Sequence, residues 1–246
     1  MVNFNLKSAY WDCLFLLTGK KSSGLKRYTG QYAHGDAWFS YREEETENVY
    51  EGRFIYRHDY MEYGHKAYTD IRGKFADGRK EGRWKFRHMD NSIIIKTDID
   101  YSAGNLNGLY HVARYRTFLD GLLTVAKTHD LKLTLVNGVP VGEVVGFSRY
   151  QTFKAYCDQA GLPDGTWTLV DSDMDKTIHY TEIWEHGVLK NSFYIDQLTG
   201  RKITCEEHVR KAIQNIVQHY SYGLERRIER GSNYWKGRIH SFKGNS

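Results

Sequence analysis

The stretch Ile71–Phe86, IRGKFADGRKEGRWKF, constrains the fold of this chain more than any other. It reads as one complete β-hairpin. Ile71, Lys74 and Phe75 open a strand, Ala76-Asp77-Gly78-Arg79-Lys80 turns it, and Arg83-Trp84-Lys85-Phe86 runs back. Asp77-Gly78 is a strong turn signal, because glycine reaches positive φ without a Cβ clash and Asp tolerates the same region. Echoes of the stretch recur. Tyr28-Thr29-Gly30-Gln31-Tyr32-Ala33-His34-Gly35 precedes Trp38-Phe39-Ser40-Tyr41, and Tyr50-Glu51-Gly52-Arg53-Phe54 follows. Gly30, Gly52 and Gly73 lie 22 and 21 residues apart. A period in the twenties marks an array in which each unit is one supersecondary element.

The pattern Y-x-G-x-[FY]-x-x-G, with a further Gly four residues on, resembles the MORN repeat. Residues 28–35, 50–54 and 71–86 carry the resemblance, the last with Gly73, Gly78 and Gly82. Two departures stand out: Ile71 replaces the usual Tyr, and Trp84 stands where another Gly is usual. Later units drift. Tyr101–Tyr110 is a shortened hairpin, and Leu131–Phe147 keeps Asn137-Gly138 and Gly142 but has Leu133 at the first Gly position. Phe153–Val170 keeps Asp164-Gly165, and Tyr180–Tyr194 keeps His186-Gly187. The resemblance implies consecutive antiparallel hairpins in an elongated or curved sheet. It also implies a scaffold for protein partners or membrane surfaces.

The alternation in Lys132-Leu133-Thr134-Leu135 and Thr166-Trp167-Thr168-Leu169 fits half-exposed antiparallel strands. Asn5–Leu17 is expected to be a short helix, with Leu6, Tyr10, Cys13, Leu14 and Leu17 on one face. Thr204-Cys205-Glu206-Glu207 reads as a capping box. It opens a second helix, 204–230, whose stripe of Val209, Ala212, Ile213, Ile216, Val217 and Tyr220 would pack on the sheet. The expected organisation is a mainly β single domain, 1–246. It has an N-terminal helical segment (1–24), hairpin repeats (25–200), the C-terminal helix (204–230) and a basic, aromatic tail (231–246).

The net charge is +5, and most of it sits at the C-terminus. From Tyr220 onward Arg226, Arg227, Arg230, Lys236, Arg238 and Lys243 outnumber Glu225 and Glu229. The nearly neutral body argues against a nucleic-acid-coating surface. The tail instead suits an anionic membrane surface, at about 1 kcal/mol per basic residue close to it. A segment folded over the sheet, its aromatics buried and its charges solvated, is the favoured reading of the tail. Cys13, Cys157 and Cys205 are odd in number and widely spaced. That argues against a disulfide framework or zinc site and for a reducing, cytoplasmic setting.

One stretch has metal-ligand spacing. Asp171, Asp173, Asp175 and Glu182 match positions 1, 3, 5 and 12 of an EF-hand loop. Lys176 replaces the turn glycine and the flanks read as strands, so a polar hairpin loop is the favoured reading and no metal is expected. Arg57-His58 and Arg87-His88 recur in equivalent frames, which stacked hairpins could bring together. Polar strand ends are the favoured reading here too. No nucleophile elbow, phosphate loop or dinucleotide fingerprint occurs, so neither a catalytic residue nor a cofactor is expected. The expected function is non-enzymatic protein binding through the aromatic sheet surface, with Trp38, Tyr56, Trp84, Tyr110, Trp167 and Trp184 as candidate contacts. The alternative is a carbohydrate-active or other small-ligand protein with an aromatic-lined concave face.

Overall fold

The computed structural model describes residues 24–204, apart from 46, 63, 91, 119–123, 149–150, 174–175 and 196–198. The expected helices at Asn5–Leu17 and 205–230, and the tail, lie outside the described residues. The described residues form strands throughout, each antiparallel to its sequence neighbours within its unit. The chain divides at Lys127/Thr128 into two compact units.

The first unit carries β1 (Lys26–Tyr32), β2 (Gly35–Glu43), β3 (Asn48–Glu62), β4 (His65–Ala76), β5 (Arg79–Met89), β6 (Ile93–Ser102) and β7 (Asn105–Phe118). The second carries most of β8 (Thr124–Val136), then β9 (Val139–Phe147), β10 (Gln151–Cys157), β11 (Gly165–Asp173), β12 (Lys176–Glu185), β13 (Val188–Ile195) and β14 (Lys202–Thr204). Thr204, expected to cap a helix, ends β14 opposite Phe193.

Four of the turns form where the sequence places them. Asp77-Gly78, Ala103-Gly104, Asn137-Gly138 and His186-Gly187 are two-residue turns with positive φ at both positions, 48° and 71° in the first. That geometry matches the right-handed twist of the flanking strands. The second strand of four successive pairs then bulges at a glycine, at Gly52, Gly82, Gly108 and Gly142. All four glycines have positive φ, and the pairing register shifts opposite each.

Consecutive hairpins are clasped by a recurring device. The Gly78 amide donates to the Tyr50 carbonyl (2.9 Å), and the Asp77 amide donates to the Glu51 carboxylate (2.9 Å). Gly104 and Ala103 do the same with Lys80 and Glu81, at 2.9 and 2.8 Å. Gly187 and His186 do it with Pro163 and Asp164, at 2.7 and 3.1 Å. The acid before each Gly therefore binds the next turn. This corrects one sequence reading: Asp164-Gly165 opens β11 and clasps a turn rather than forming one.

The core of the first unit is a column of aromatics. Tyr32, Phe39, Phe54, Phe75 and Trp84 are all buried. Trp84 stacks on Phe54 (5.7 Å, 29°), meets Phe75 edge-on (4.9 Å, 80°) and donates its Nε1–H to the Lys74 carbonyl (3.1 Å). Gly73 is glycine because of this packing: a Cβ there would stand 2.1 Å from the Trp84 ring. The second unit solves the same site differently. Arg72↔Lys85 and Lys74↔Glu81 in the first unit correspond in register to Lys132↔Val145 and Thr134↔Val141 in the second. Leu133, buried, thus takes the place of Gly73, and Val144 takes that of Trp84. The bulk moves from one strand to its neighbour and total volume is roughly kept.

Candidate functional site

The six candidate aromatic contacts separate by burial. Tyr56, Trp84 and Tyr110 are each 2% exposed and belong to the packed interior. Trp38 is half-buried and lies in register between Thr29 and Ile55, on the face opposite Phe39. Trp167 and Trp184 are half-buried and close together, 5.8 Å apart at 45°. Phe153 meets Trp167 edge-on at 5.8 Å.

Glu182 lies beside both tryptophans. It pairs with Trp167 on one side and Ser192 on the other, and its Oε2 accepts the Trp184 Nε1–H at 2.9 Å. The carboxylate-bearing residue is only 3% exposed. Its separation from Asp171 rules out the EF-hand arrangement. Asp171 pairs with Ile178, four residues before Glu182 along an extended strand, or about 13 Å at roughly 3.3 Å per residue. Positions 1 and 12 of a calcium loop must converge on one ion, and here they diverge along a hairpin. Asp173 pairs with Lys176, and Asp175 lies outside the described residues. Among the described residues no group of three His, Cys, Asp or Glu side chains is placed to hold a metal.

The histidine frames do meet. His58 and His88 both pair with Thr69, one on each side, and the Thr69 hydroxyl lies 3.1 Å from His88 Nδ1. The His34 and His58 rings are 6.1 Å apart. His88 also faces the Asp90 carboxylate at 3.8 Å. His58 and His88 are neighbouring polar strand residues, with His34 in the β1–β2 turn beside them.

The face of β3–β5 opposite the aromatic column is charged. Arg72 forms a two-point bond with Asp70 (2.8 and 3.0 Å), Arg83 with Asp100 (2.8 and 2.9 Å), and Arg87 reaches Asp98 (2.6 Å). Asp100 is held below the usual carboxylate range, chiefly by Arg83. Arg53 lies directly opposite Lys74, and Lys85 lies opposite Arg72.

One position breaks the aromatic column. In Lys80-Glu81-Gly82 a lysine takes the place that tyrosine has in Tyr50-Glu51-Gly52. Tyr50 packs against Phe39 and Phe75, at 5.0 and 5.2 Å. Lys80 pairs with Phe75, and its Nζ lies 5.1 Å from the Trp84 ring, 5.7 Å from Phe86 and 5.0 Å from Tyr101. Burial pushes its ammonium down to about 8, and pushes the Tyr101 phenol up to about 12.

The second unit carries an exposed apolar rim along its turns. Val136 and Val139 flank the β8–β9 turn, Leu162 lies in the β10–β11 loop, and Val188 follows the β12–β13 turn; all are exposed. Neighbouring turns come close. Val139 Cγ1 occupies the space a Cβ on Gly161 would need, 2.0 Å away, and Leu162 packs against Gly187 at 3.4 Å by the same measure. Asp158 fixes the loop: its Oδ1 accepts the Ala160 and Leu162 amides, both at 2.9 Å, and Oδ2 faces His186 Nδ1 at 3.2 Å.

The chain matches no family model, no curated protein and no solved structure. Among the described residues no helix is long and apolar enough to cross a membrane. The basic tail residues Arg226, Arg227, Arg230, Lys236 and Arg238 lie outside the described residues. Sequence reasoning missed the turn clasps, the apolar rim and Lys80. The signal for Lys80 was present in the alignment of Tyr50-Glu51-Gly52 with Lys80-Glu81-Gly82.

Proposed function

We propose that this chain is a non-enzymatic interaction protein, built of degenerate MORN-type hairpins, that binds a protein partner in a reducing, cytoplasmic setting. The observation that supports this reading best is the apolar rim of Val136, Val139, Leu162 and Val188, with Tyr156 also exposed nearby in sequence. Exposed apolar side chains gathered on adjoining turns are characteristic of a protein contact. Burying each half-exposed aliphatic side chain would contribute about 1 kcal/mol.

The test is affinity capture at high salt with the full chain beside a Val139→Asp, Leu162→Asp, Val188→Asp variant of verified fold. A partner held by the wild type and lost by the variant supports the reading. A partner held equally by both refutes it, and a partner lost from both with salt moves the contact to the basic residues. A second reading has its own support. Trp167, Trp184 and the buried Glu182 form an aromatic and acidic cluster of the sort that receives a small polar ligand. Glycan binding that disappears with Trp167→Ala would favour it.

A further inference from the structure

We propose that Lys80 is a covalent modification site, an amine that forms an imine with small aldehydes. Three features of its surroundings carry this. First, its Nζ is walled by the rings of Trp84, Phe86 and Tyr101, at 5.1, 5.7 and 5.0 Å. Second, no carboxylate among the described residues pairs with it. The adjacent Glu81 carboxylate binds the Ala103 amide. Third, the backbone is pinned, with the Lys80 carbonyl accepting the Gly104 amide at 2.9 Å, so the side chain is presented from a fixed point.

Desolvation without a counter-ion makes a lysine a nucleophile, because it raises the fraction of neutral amine near neutral pH. Burial moves this ammonium down to about 8, in line with that geometry. The ring faces would also stack on the apolar body of an aldehyde. In the step itself, the Nζ lone pair attacks the carbonyl carbon to form a carbinolamine. The aldehyde oxygen then leaves as water with both amine protons, and the C=N bond closes. No oxidant or reductant is consumed.

The test uses propanal with cyanoborohydride to trap the imine, from pH 6 to 10, with labelled lysines mapped by mass spectrometry. Lys74, on the neighbouring β4, and Lys85, further along β5, are both exposed and serve as internal references. At pH 7 Lys80 should label at least about 10-fold faster than either, since neutral amine is more abundant by roughly tenfold per unit of lowered pKa. Its rate should reach half-maximum near pH 8, and the lead should vanish in the urea-unfolded chain. Lys80 labelling no faster than Lys74 in the folded protein overturns the proposal. So does a lead that persists after unfolding, because the cage would then have no part in it.

Discussion

Replacing Lys80 by methionine should stabilise the protein, with a pH signature that separates buried charge from ordinary packing. The folded-state pKa of Lys80 falls from 10.5 to about 8, and burial is the cause. At 1.36 kcal/mol per unit this shift corresponds to about 3 kcal/mol against folding while the group is charged in both states. The three ring faces offset part of that, at about 0.5–1 kcal/mol each at a partly exposed site. Lys80→Met should therefore gain about 0.5–1.5 kcal/mol at pH 7.

The sign follows from proton binding. Between pH 8 and 10.5 the unfolded chain holds a proton on Lys80 that the folded chain has lost, so wild-type stability rises with pH across that window. The penalty is full below pH 8 and gone above 10.5. Urea unfolding of both proteins at pH 7, 9 and 10.5 should show the methionine variant ahead at pH 7, with the gap closing by 10.5. A gap that is absent at pH 7, or that stays constant with pH, would refute the claim that an uncompensated ammonium sits among these rings.

Gly73→Ala and Gly52→Ala should differ in kind. The first forces a Cβ to 2.1 Å from the buried Trp84 ring and should cost about 1–3 kcal/mol by overpacking, with a changed tryptophan emission. The second meets nothing within 4 Å but sits at φ 79°, so it should cost about 1 kcal/mol with the emission unchanged. Glu51→Ala and Glu81→Ala each remove one acceptor from a turn amide and should cost about 1 kcal/mol in urea titrations. The His186 imidazole is raised above its ordinary 6.5, chiefly by its bond to Asp158. Its stabilising contribution is therefore present below pH 6.5 and lost as pH rises through the raised value. Asp158→Asn should remove that dependence, as read from the imidazole titration by NMR.

Much of the hairpin pattern was legible because turn chemistry is local. Asp77-Gly78, Asn137-Gly138 and His186-Gly187 announced their turns through two adjacent residues. The functional surfaces were less legible because burial is not local. Tyr56, Trp84 and Tyr110 look like exposed aromatics in an alternating strand, and only packing against residues distant in sequence places them inside. Leu133 looked like a broken repeat. Its meaning required knowing that Val144 faces it where Trp84 faces Gly73. The Asp171–Glu182 spacing matched that of a calcium loop, but Lys176 and the strand-like flanks already favoured a polar hairpin, and β11 and β12 pair as one. The clasps escaped notice because Glu51 and Asp77 are partners across 26 residues.

The clasp ties each turn to the preceding hairpin beyond the strand ladders that already join them, and amide hydrogen exchange tests it most directly. In an isolated two-residue hairpin turn the glycine amide faces water. Here the amides of Gly78, Gly104 and Gly187 donate to Tyr50, Lys80 and Pro163 of the preceding hairpin. Native-state exchange measured by NMR should find these three turn amides protected alongside the strand amides. Exchange of all three at the rate of an unstructured chain, with the flanking strands still protected, would contradict the account.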